Sequence, residues 1–306
     1  MTKHEFYVND SAHTGMRADR FIAEVMGFCT RSQLKSLTRE LAINDVPVKP
    51  SHHLKTGDLI TLAMEEPSME HILPEPLPLS ILYEDENVVV IDKPQGMTVH
   101  PGAGKNSGTL VQGLMYHVRG LTENFEDSVR PGIVHRLDMD TSGVIITAKN
   151  ARTHDFLAKQ FSGRKTRKKY IALVMGRPAE KKGTIAENIT RDPKNRKRFT
   201  VSAVSGKPAK TNYRVLRQFK GYALLSVEPV TGRTHQIRVH LLSRGMPVVG
   251  DRVYGRKKPL LPEAGLMLHA LSLAVTLPGE TSQRVFRSPL PLRFYTYAGR
   301  IKSMCL

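Results

Sequence analysis

The stretch Pro131-Gly-Ile-Val-His-Arg-Leu-Asp-Met-Asp-Thr-Ser-Gly143 constrains this chain more than any other. It sets one basic side chain, Arg136, and two acids, Asp138 and Asp140, between an apolar run and Thr-Ser-Gly. A second apolar run, Val144-Ile-Ile-Thr147, follows at once. Two short apolar runs flanking a polar turn predict strand, charged turn, strand, with the turn at the working edge of a sheet. A carboxylate placed there stands on a rigid element yet faces outward, which suits a catalytic group. Aspartates in surface turns are common, however, and taken alone the stretch reads more simply as a solvated hairpin.

The charge around the stretch shifts that balance. The 306 residues carry 46 Lys and Arg against 28 Asp and Glu, a net of +18. The net charge is +1 over residues 1–64, −7 over 65–130, +16 over 131–220 and +8 over 221–306. The surplus therefore starts at His135-Arg-Leu-Asp138 and continues through segments that keep their apolar residues. This marks a folded basic surface rather than a disordered tail. A polyanionic partner is implied, either nucleic acid or an anionic membrane surface, and a folded basic surface favours nucleic acid. The apolar runs, such as Val88-Val-Val-Ile91, are too short to span a membrane, and Met1-Thr-Lys-His-Glu-Phe6 lacks the apolar core of a secretory signal. Cys29 and Cys305 are the only cysteines and suit neither a disulfide scaffold nor a zinc site, so a cytoplasmic location is expected.

Taken in order, the chain opens with Phe6-Tyr-Val8 as an edge strand and Arg17 to Phe28 as a short helix with Phe21, Ile22 and Val25 inward. Thr30 with Gln33 resembles a capping box opening a second helix. On it Leu34, Leu37 and Leu41 form an apolar stripe, and Arg31, Lys35 and Arg39 a basic one. A small sheet follows, from Val46 and Val48 through the Gly57-Asp58 turn to Leu59–Met64. This segment resembles the S4 RNA-binding domain in Arg17-Ala-Asp-Arg-Phe-Ile22, Thr30-Arg-Ser-Gln33 and Gly57-Asp58-Leu-Ile60. Ala18 is smaller than usual at its position, and the usual Asn-Gly turn is absent, with Asn44-Asp45 nearby. The resemblance implies that Arg31, Lys35 and Arg39 meet RNA phosphates. With a local net charge of only +1, weak auxiliary binding is expected.

Residues 65–79, with Pro67, Pro74, Pro76 and Pro78, read as a semi-rigid linker between domains at 1–64 and 80–306. Beyond it, Ile81–Tyr83 and Val88–Ile91 predict a hairpin. Helices are expected over Thr109–Val118 and over Asn150–Phe161, the latter with Phe156, Leu157 and Phe161 inward. The glycines around His100-Pro-Gly-Ala-Gly-Lys105 match no nucleotide-binding loop. Arg164-Lys165-Thr-Arg167-Lys168-Lys-Tyr170, placed before a strand at Ile171–Val174, has the makings of a phosphate clamp beside a base-stacking ring. The alternative is a solvated loop and an ordinary strand-end tyrosine. Lys194–Arg198 reads as a second basic loop. Tyr222–Val227 is a strand, and Thr234 caps a helix from about His235 to Arg244. His235 and His240 stand five apart, which places no metal pair on one helix face. Leu268–Ala270 and Ser288–Pro291 read as sheet edges and turns.

Four motifs in order carry a specific resemblance. Asp92-Lys-Pro94 with His100-Pro101, His135-Arg-Leu-Asp138 with Thr141-Ser-Gly143, Lys169-Tyr170, and Gly232-Arg-Thr-His-Gln-Ile-Arg238 resemble the RluA-type pseudouridine synthases over about residues 80–295. The contexts His100-Pro-Gly-Ala-Gly104 and Pro131-Gly-Ile-Val134 are most similar to the RluD-like branch, which modifies large-subunit ribosomal RNA. The resemblance implies an α+β fold: a mixed, largely antiparallel sheet with flanking helices, plus the small N-terminal S4-like domain. It implies isomerisation of uridine in RNA without cofactor or metal, by a protein expected to be monomeric and to act away from membranes. Asp138 becomes the catalytic carboxylate, with Asp140 as its rival. Arg238 becomes the ion-pair partner that orients Asp138 and keeps it ionised, and Tyr170 the ring on the target base, with a share in removing the C5 proton. Arg136 becomes the side chain that fills the space left by a flipped base. His135, Arg164, Lys165, Arg167 and Lys168 border the RNA, His135 with a structural role as its stronger reading. Competing readings are a non-catalytic RNA-binding assembly factor, a synthase acting on transfer RNA, and a carboxylate-pair glycosidase, which the basic surface fits poorly.

Overall fold

The computed structural model describes residues 2–29, 34, 38–64, 72–101, 107–121, 125, 131–195, 198–255 and 265–303. The chain forms two compact units, Met1–His71 and Ile72–Leu306. The first holds β1 (Thr2–Tyr7), the short helical stretch α1 (Ala18–Arg20) continued by wider turns at Phe21–Val25, then β2 (Thr38–Ile43), β3 (Val46–Pro47) and β4 (Leu59–Met64). The strands make one antiparallel sheet in the order β1-β4-β2-β3, with β1 at an edge. Phe6, Leu41, Ile43, Ile60 and Leu62 pack with Phe21 and Ile22 in a core of this unit's own residues. Val25, expected inward, is 41% exposed.

The expected helix from Thr30 to Leu41 does not hold at its C-terminal end. Arg39 and Leu41 lie in β2, where Leu41 faces Leu62 and Ile43 faces Ile60 across the ladder. Leu41 meets the three-to-four spacing of a helix as well as the two-residue spacing of a strand, and pairing with β4 decides between them. A register shift between Thr38 and Glu40 leaves Arg39 exposed at an irregularity of the strand, so it cannot belong to a helical stripe. Arg31, Lys35 and Leu37 lie outside the described residues. The turn after β2 is Asn44-Asp45, both at positive φ (50° and 63°), the conformation a two-residue hairpin requires. These residues do the work of the missing Asn-Gly.

The second unit is built on a nine-stranded sheet. Its strands are β5 (Ile81–Glu84), β6 (Val88–Lys93), β7 (Ser142–Ala148), β8 (Arg167–Met175), β9 (Lys182–Ala186), β12 (Lys210–Phe219), β13 (Tyr222–Pro229), β14 (Leu268–Val275) and β15 (Arg284–Arg287). The order is β5-β6-β7-β14-β8-β13-β12-β9, with β15 also on β14. Every pairing is antiparallel except β7 with β14. A separate hairpin joins β10 (Asn188–Arg191) to β11 (Phe199–Ser202). Among the described residues four helices flank the sheet: α2 (Leu110–His117), α3 (Ala151–Ser162), α4 (Gln236–Ser243) and α5 (Leu292–Ser303). The fold is thus α+β with a mixed, mostly antiparallel sheet, as the motifs imply. Leu268–Ala270 belongs to an inner strand rather than to a sheet edge, because β14 is flanked by β7 and β8.

Local signals account for most of these elements. Thr109 and Gln112 form a reciprocal capping box at the start of α2, and the Asn150 side chain accepts the Thr153 amide at the start of α3. On α3 Leu157 is fully buried, whereas Phe156 is 38% exposed and so does not point inward as its spacing suggests. One apolar cluster underlies β6, β7 and part of β14 with α2 and α3. A second lies around β8 and β13 with α4 and α5. Tyr170 packs against both, which places it at the seam between the two halves of the sheet. Residues 72–79 have no helix or strand, but Glu75 accepts hydrogen bonds from the Gly108 amide and from Gln112, which fixes them to the second unit.

Candidate active site

Pro131–Val134 does not form the expected first strand of a hairpin. Pro131 has no amide hydrogen, and Gly132 takes φ +74°. The segment instead runs beside β7, joined by an isolated bridge between Ile133 and Thr147 and by the Ile146 amide, which donates to His135 Nε2 at 3.1 Å. His135 is held further by stacking on Phe161, with ring centroids 4.4 Å apart. Burial, then the nearby Lys168 charge, pushes its pKa down to about 3. The neutral ring, with one nitrogen already accepting, has the structural role the sequence favours for it.

The turn carrying the acids closes with the Thr141 amide donating to the Asp138 carbonyl at 3.1 Å. It is clamped from the loop after β6. Lys93 is fully buried, and its ammonium donates to the carbonyls of Pro94, Met97 and Met139 at 2.9, 2.8 and 3.1 Å. The Gly96 amide donates to the same Met139 carbonyl, and Gln95 Nε2 donates to the Asp140 carbonyl at 3.0 Å. Lys93 of the Asp92-Lys-Pro motif and Gln95 just after it therefore fix the backbone on either side of Asp140. Just beyond, Gly143 at φ +117° lets β7 and β14 approach; a Cβ there would stand 2.3 Å from the Ala270 carbonyl oxygen.

Helix α4 brings the opposite wall. Its N-cap is His235 at φ 55°, not Thr234 as its sequence suggests. Gln236 makes this sharp entry possible. Its Oε1 accepts from Thr231 at 2.6 Å and from the Arg233 amide at 3.0 Å, while its Nε2 donates to the Lys210 carbonyl and to Thr211. The helix then aims Arg238, 6% exposed, at two carboxylates. Arg238 Nη1 donates to Asp138 Oδ2 at 2.9 Å, and Nε and Nη2 donate as a fork to Asp251 at 2.7 and 2.9 Å. Tyr254 lies beneath the guanidinium, its ring centroid 5.0 Å away. Burial works against the charge on Arg238, but the bonds to Asp251 and then the charge of Asp138 leave its pKa above the ordinary value. For Asp251, burial is outweighed by Arg238 and by the Tyr254 and Val253 amides, so its pKa is lowered.

A cleft of about 390 Å³ opens between these walls, lined among others by Arg136, Asp138, Lys168, Tyr170 and Arg238. Asp138 is the carboxylate at its floor; Asp140 does not line it. The Tyr170 phenol is pushed up by burial, then by the charge of Asp138, so it stays protonated. Lys168 is lowered by burial. The Tyr254 hydroxyl accepts from the Phe199 amide at 2.8 Å and is hydrogen-bonded to His235 Nδ1 at 2.9 Å. Burial lowers the pKa of His235. Of the other basic residues in the stretch before Tyr170, Arg164 lines the cleft and Arg167 lines an adjoining groove, whereas Lys165 lines neither. Arg167 and Lys168 are part of β8 rather than of a loop. His240 is tied to Thr211 and the Glu187 carbonyl. Among the described residues no group of His, Cys, Asp and Glu is arranged to hold a metal ion. No described helix is long and apolar enough to cross a membrane.

The site thus unites Arg136 and Asp138, Tyr170, and Arg238 from three separate sequence motifs. Asp251 is the residue that sequence reasoning overlooks. Its only local signal is an acid inside Val248-Val-Gly-Asp-Arg-Val-Tyr254, where the neighbouring apolar residues imply burial and hence a buried partner.

Known proteins resemble this chain in sequence and in fold. Residues 87–243 match the family described as RNA pseudouridylate synthase. The ribosomal large subunit pseudouridine synthase D of Borreliella burgdorferi is 42% identical over 302 residues, spanning 96% of this chain and 91% of that protein. An uncharacterized RNA pseudouridine synthase of Aquifex aeolicus is 45% identical, over 82% of this chain and 81% of its own length. Among solved structures, the human RNA pseudouridylate synthase domain containing 1 is 28% identical with a TM-score of 0.56, covering 74% of this chain and 86% of that one.

Proposed function

The chain belongs to the RluA-type RNA pseudouridine synthases, and from that premise we propose that it converts uridines of large-subunit ribosomal RNA to pseudouridine, with Asp138 as the catalytic carboxylate. The observation that carries the reading is the ion pair at the floor of the cleft: a carboxylate 20% exposed, held at 2.9 Å by an arginine that a second, fully buried carboxylate locks in place. The relatives named for large-subunit synthases, in Borreliella burgdorferi and also in Nitrosomonas europaea at 38% identity, support ribosomal RNA as the substrate.

The reaction breaks the N1–C1′ bond, turns the uracil and joins C5 to C1′. C5 gives up its proton and N1 gains one, so the change is an isomerisation with no net redox step. Asp138 acts beside the ribose and base at the moment the glycosidic bond opens. Arg238, orienting it through a charge-assisted hydrogen bond, spares the site from reorganising during the reaction. Tyr170 covers the base with its ring and offers a neutral hydroxyl. Its raised pKa argues against a phenolate base for the C5 proton. Arg136, exposed at the mouth of the cleft, takes the space the target base leaves in its stack. In the first unit, an S4-like sheet adds weak phosphate contacts.

Release of tritium from RNA labelled at uridine C5 tests the reading directly. Wild type releases tritium from large-subunit ribosomal RNA, and Asp138→Asn releases at least a thousandfold less, on the order of the loss when an essential catalytic group is removed. Equal release by both would remove Asp138 from the mechanism. Release from transfer RNA alone would transfer the substrate, and binding without release from any RNA would leave an assembly factor.

A further inference from the structure

A polar row crosses the sheet on the side opposite Tyr170. In register, Thr184 on β9 faces Asn212 on β12, Asn212 faces Glu228 on β13, and Lys169 on β8 faces Ser272 on β14, which faces Arg287 on β15. Lys169 bridges the remaining step through its ion pair with Glu228 at 3.6 Å. One step along the strands, Lys182 pairs with Arg214 and Arg214 with Ser226. Residues paired across antiparallel strands share a face, and Tyr170 pairs with Val227, so these rows point away from the catalytic cleft. Helix α5 covers the apolar part of this side near Ile171 and Leu173, and the polar rows are left to solvent.

Two grooves follow the rows, of about 580 and 390 Å³. The larger is lined by Lys169, Lys182 and Arg214, the other by Arg167, Lys169 and Arg287, and among the described residues Glu228 is the only carboxylate in either. The grooves meet at Lys169, Asn212 and Glu228. The second also shares Arg164, Lys168, Pro229 and Val230 with the catalytic cleft. A basic track is therefore continuous from the cleft, around the end of β8 and β13, to the far side of the sheet. Crossing from β15 to β9 spans five strand spacings, roughly 24 Å at about 4.8 Å each.

We propose that this far side binds the phosphate backbone of RNA flanking the target uridine, carrying the substrate from the cleft around the edge of the sheet to Lys182 and Arg214. The occupant is RNA rather than an acidic protein or an anionic membrane because the track starts in the cleft that takes the target nucleotide. The proposal rests on RNA being the substrate. Lys169 is paired with Glu228, but among the described residues no carboxylate pairs with Lys182, Arg214, Arg167 or Arg287, and a row of such cations is what a repeating chain of phosphates requires.

The test uses Lys182→Gln/Arg214→Gln/Arg287→Gln, three exposed positions outside the cleft. Binding is measured against salt for two RNAs: a short stem-loop holding the target uridine, and a longer fragment with its natural flanks. For the longer RNA the variant should bind about tenfold more weakly, and its salt slope should fall by about 2, near 0.7 per lost phosphate contact. Binding of the stem-loop and tritium release from it should be unchanged. Lys182→Glu alone should weaken the longer RNA in the same sense. Unchanged affinity for the longer RNA, or equal weakening of both RNAs, overturns the proposal. So does loss of binding to phosphatidylserine vesicles with RNA binding intact. Wild type that releases no tritium while the triple variant still loses the longer RNA would refute the catalytic reading and support the track. Normal release with no effect of the variant would do the opposite.

Discussion

At the scale of single residues, the site depends on a cation shared unequally. Arg238 gives a fork of two hydrogen bonds to Asp251 and a single one to Asp138. Asp251 is therefore a positioning residue: it fixes the guanidinium so that Asp138 meets a donor of set direction. Asp251→Asn should lower kcat for tritium release by about 10–100-fold while RNA affinity holds. It should also cost about 3 kcal/mol in denaturant unfolding, the low end for removing one partner of a buried pair, since Asp138 remains. Unaltered kcat in a destabilised variant would reduce Asp251 to a packing role. His135 gives a prediction in pH. Its folded pKa of about 3 lies below the ordinary 6.5, so its contribution is fully present above pH 6.5 and is lost as pH falls toward 3. His135→Gln keeps an acceptor for the Ile146 amide but does not titrate. It should be less stable than wild type at pH 7, yet lose less in Tm between pH 7 and pH 4.5. Parallel losses would mean that other buried groups, such as His240 or His269, dominate the acid limb. Asp138 and Arg238 were legible because each stands in a compact motif with its chemistry on display. Asp251 was not, since its role exists only once residues 13 apart meet across the mouth of α4.

Among the elements, the parallel contact of β7 with β14 does the most to shape the site. It holds the end of the Asp138 turn against the middle of the sheet, and Gly143 makes the approach possible. Gly143→Ala would force a Cβ to 2.3 Å from a carbonyl at a backbone angle L side chains rarely adopt. A loss of at least about 3 kcal/mol in stability, or failure to fold, is expected from calorimetry. A cost under 1 kcal/mol would show that the two strands can part without harm. The strands themselves were legible, since short, wholly apolar runs bounded by turn residues have little alternative to a buried strand. Two errors have physical causes. Leu34, Leu37 and Leu41 imitate a helical stripe, yet Leu41 is decided by its cross-strand partner Leu62. Pro131–Val134 imitates a strand, yet its proline and its left-handed glycine limit it to one bridge. The pairing of β7 with β14 was not legible at all: it joins residues more than 120 apart, and no local pattern specifies which strand lies beside which.

For the whole molecule the question is whether the two units depend on each other for their stability. Among the described residues their cores share none: the first draws on Phe6 to Met64, the main clusters of the second on Val88 to Ile301. Every hydrogen bond described at Asp138, Arg238 and Asp251 is made within the second unit. The acidic segment 65–130 separates the nearly neutral first 64 residues from the +16 of residues 131–220, so the charge that draws RNA belongs to the catalytic unit. Removing Met1–His71 should therefore leave a protein that unfolds in one cooperative transition and still releases tritium from a short stem-loop, with kcat within about threefold of the full chain. Its KM for long ribosomal RNA should rise about 10-fold, while the salt slope of binding falls by no more than about 2, as expected when a few phosphate contacts are lost from a larger set. A truncated protein that folds but has lost all turnover would show that the first unit takes part in the chemistry. An unchanged KM would show that its sheet contributes nothing to holding RNA.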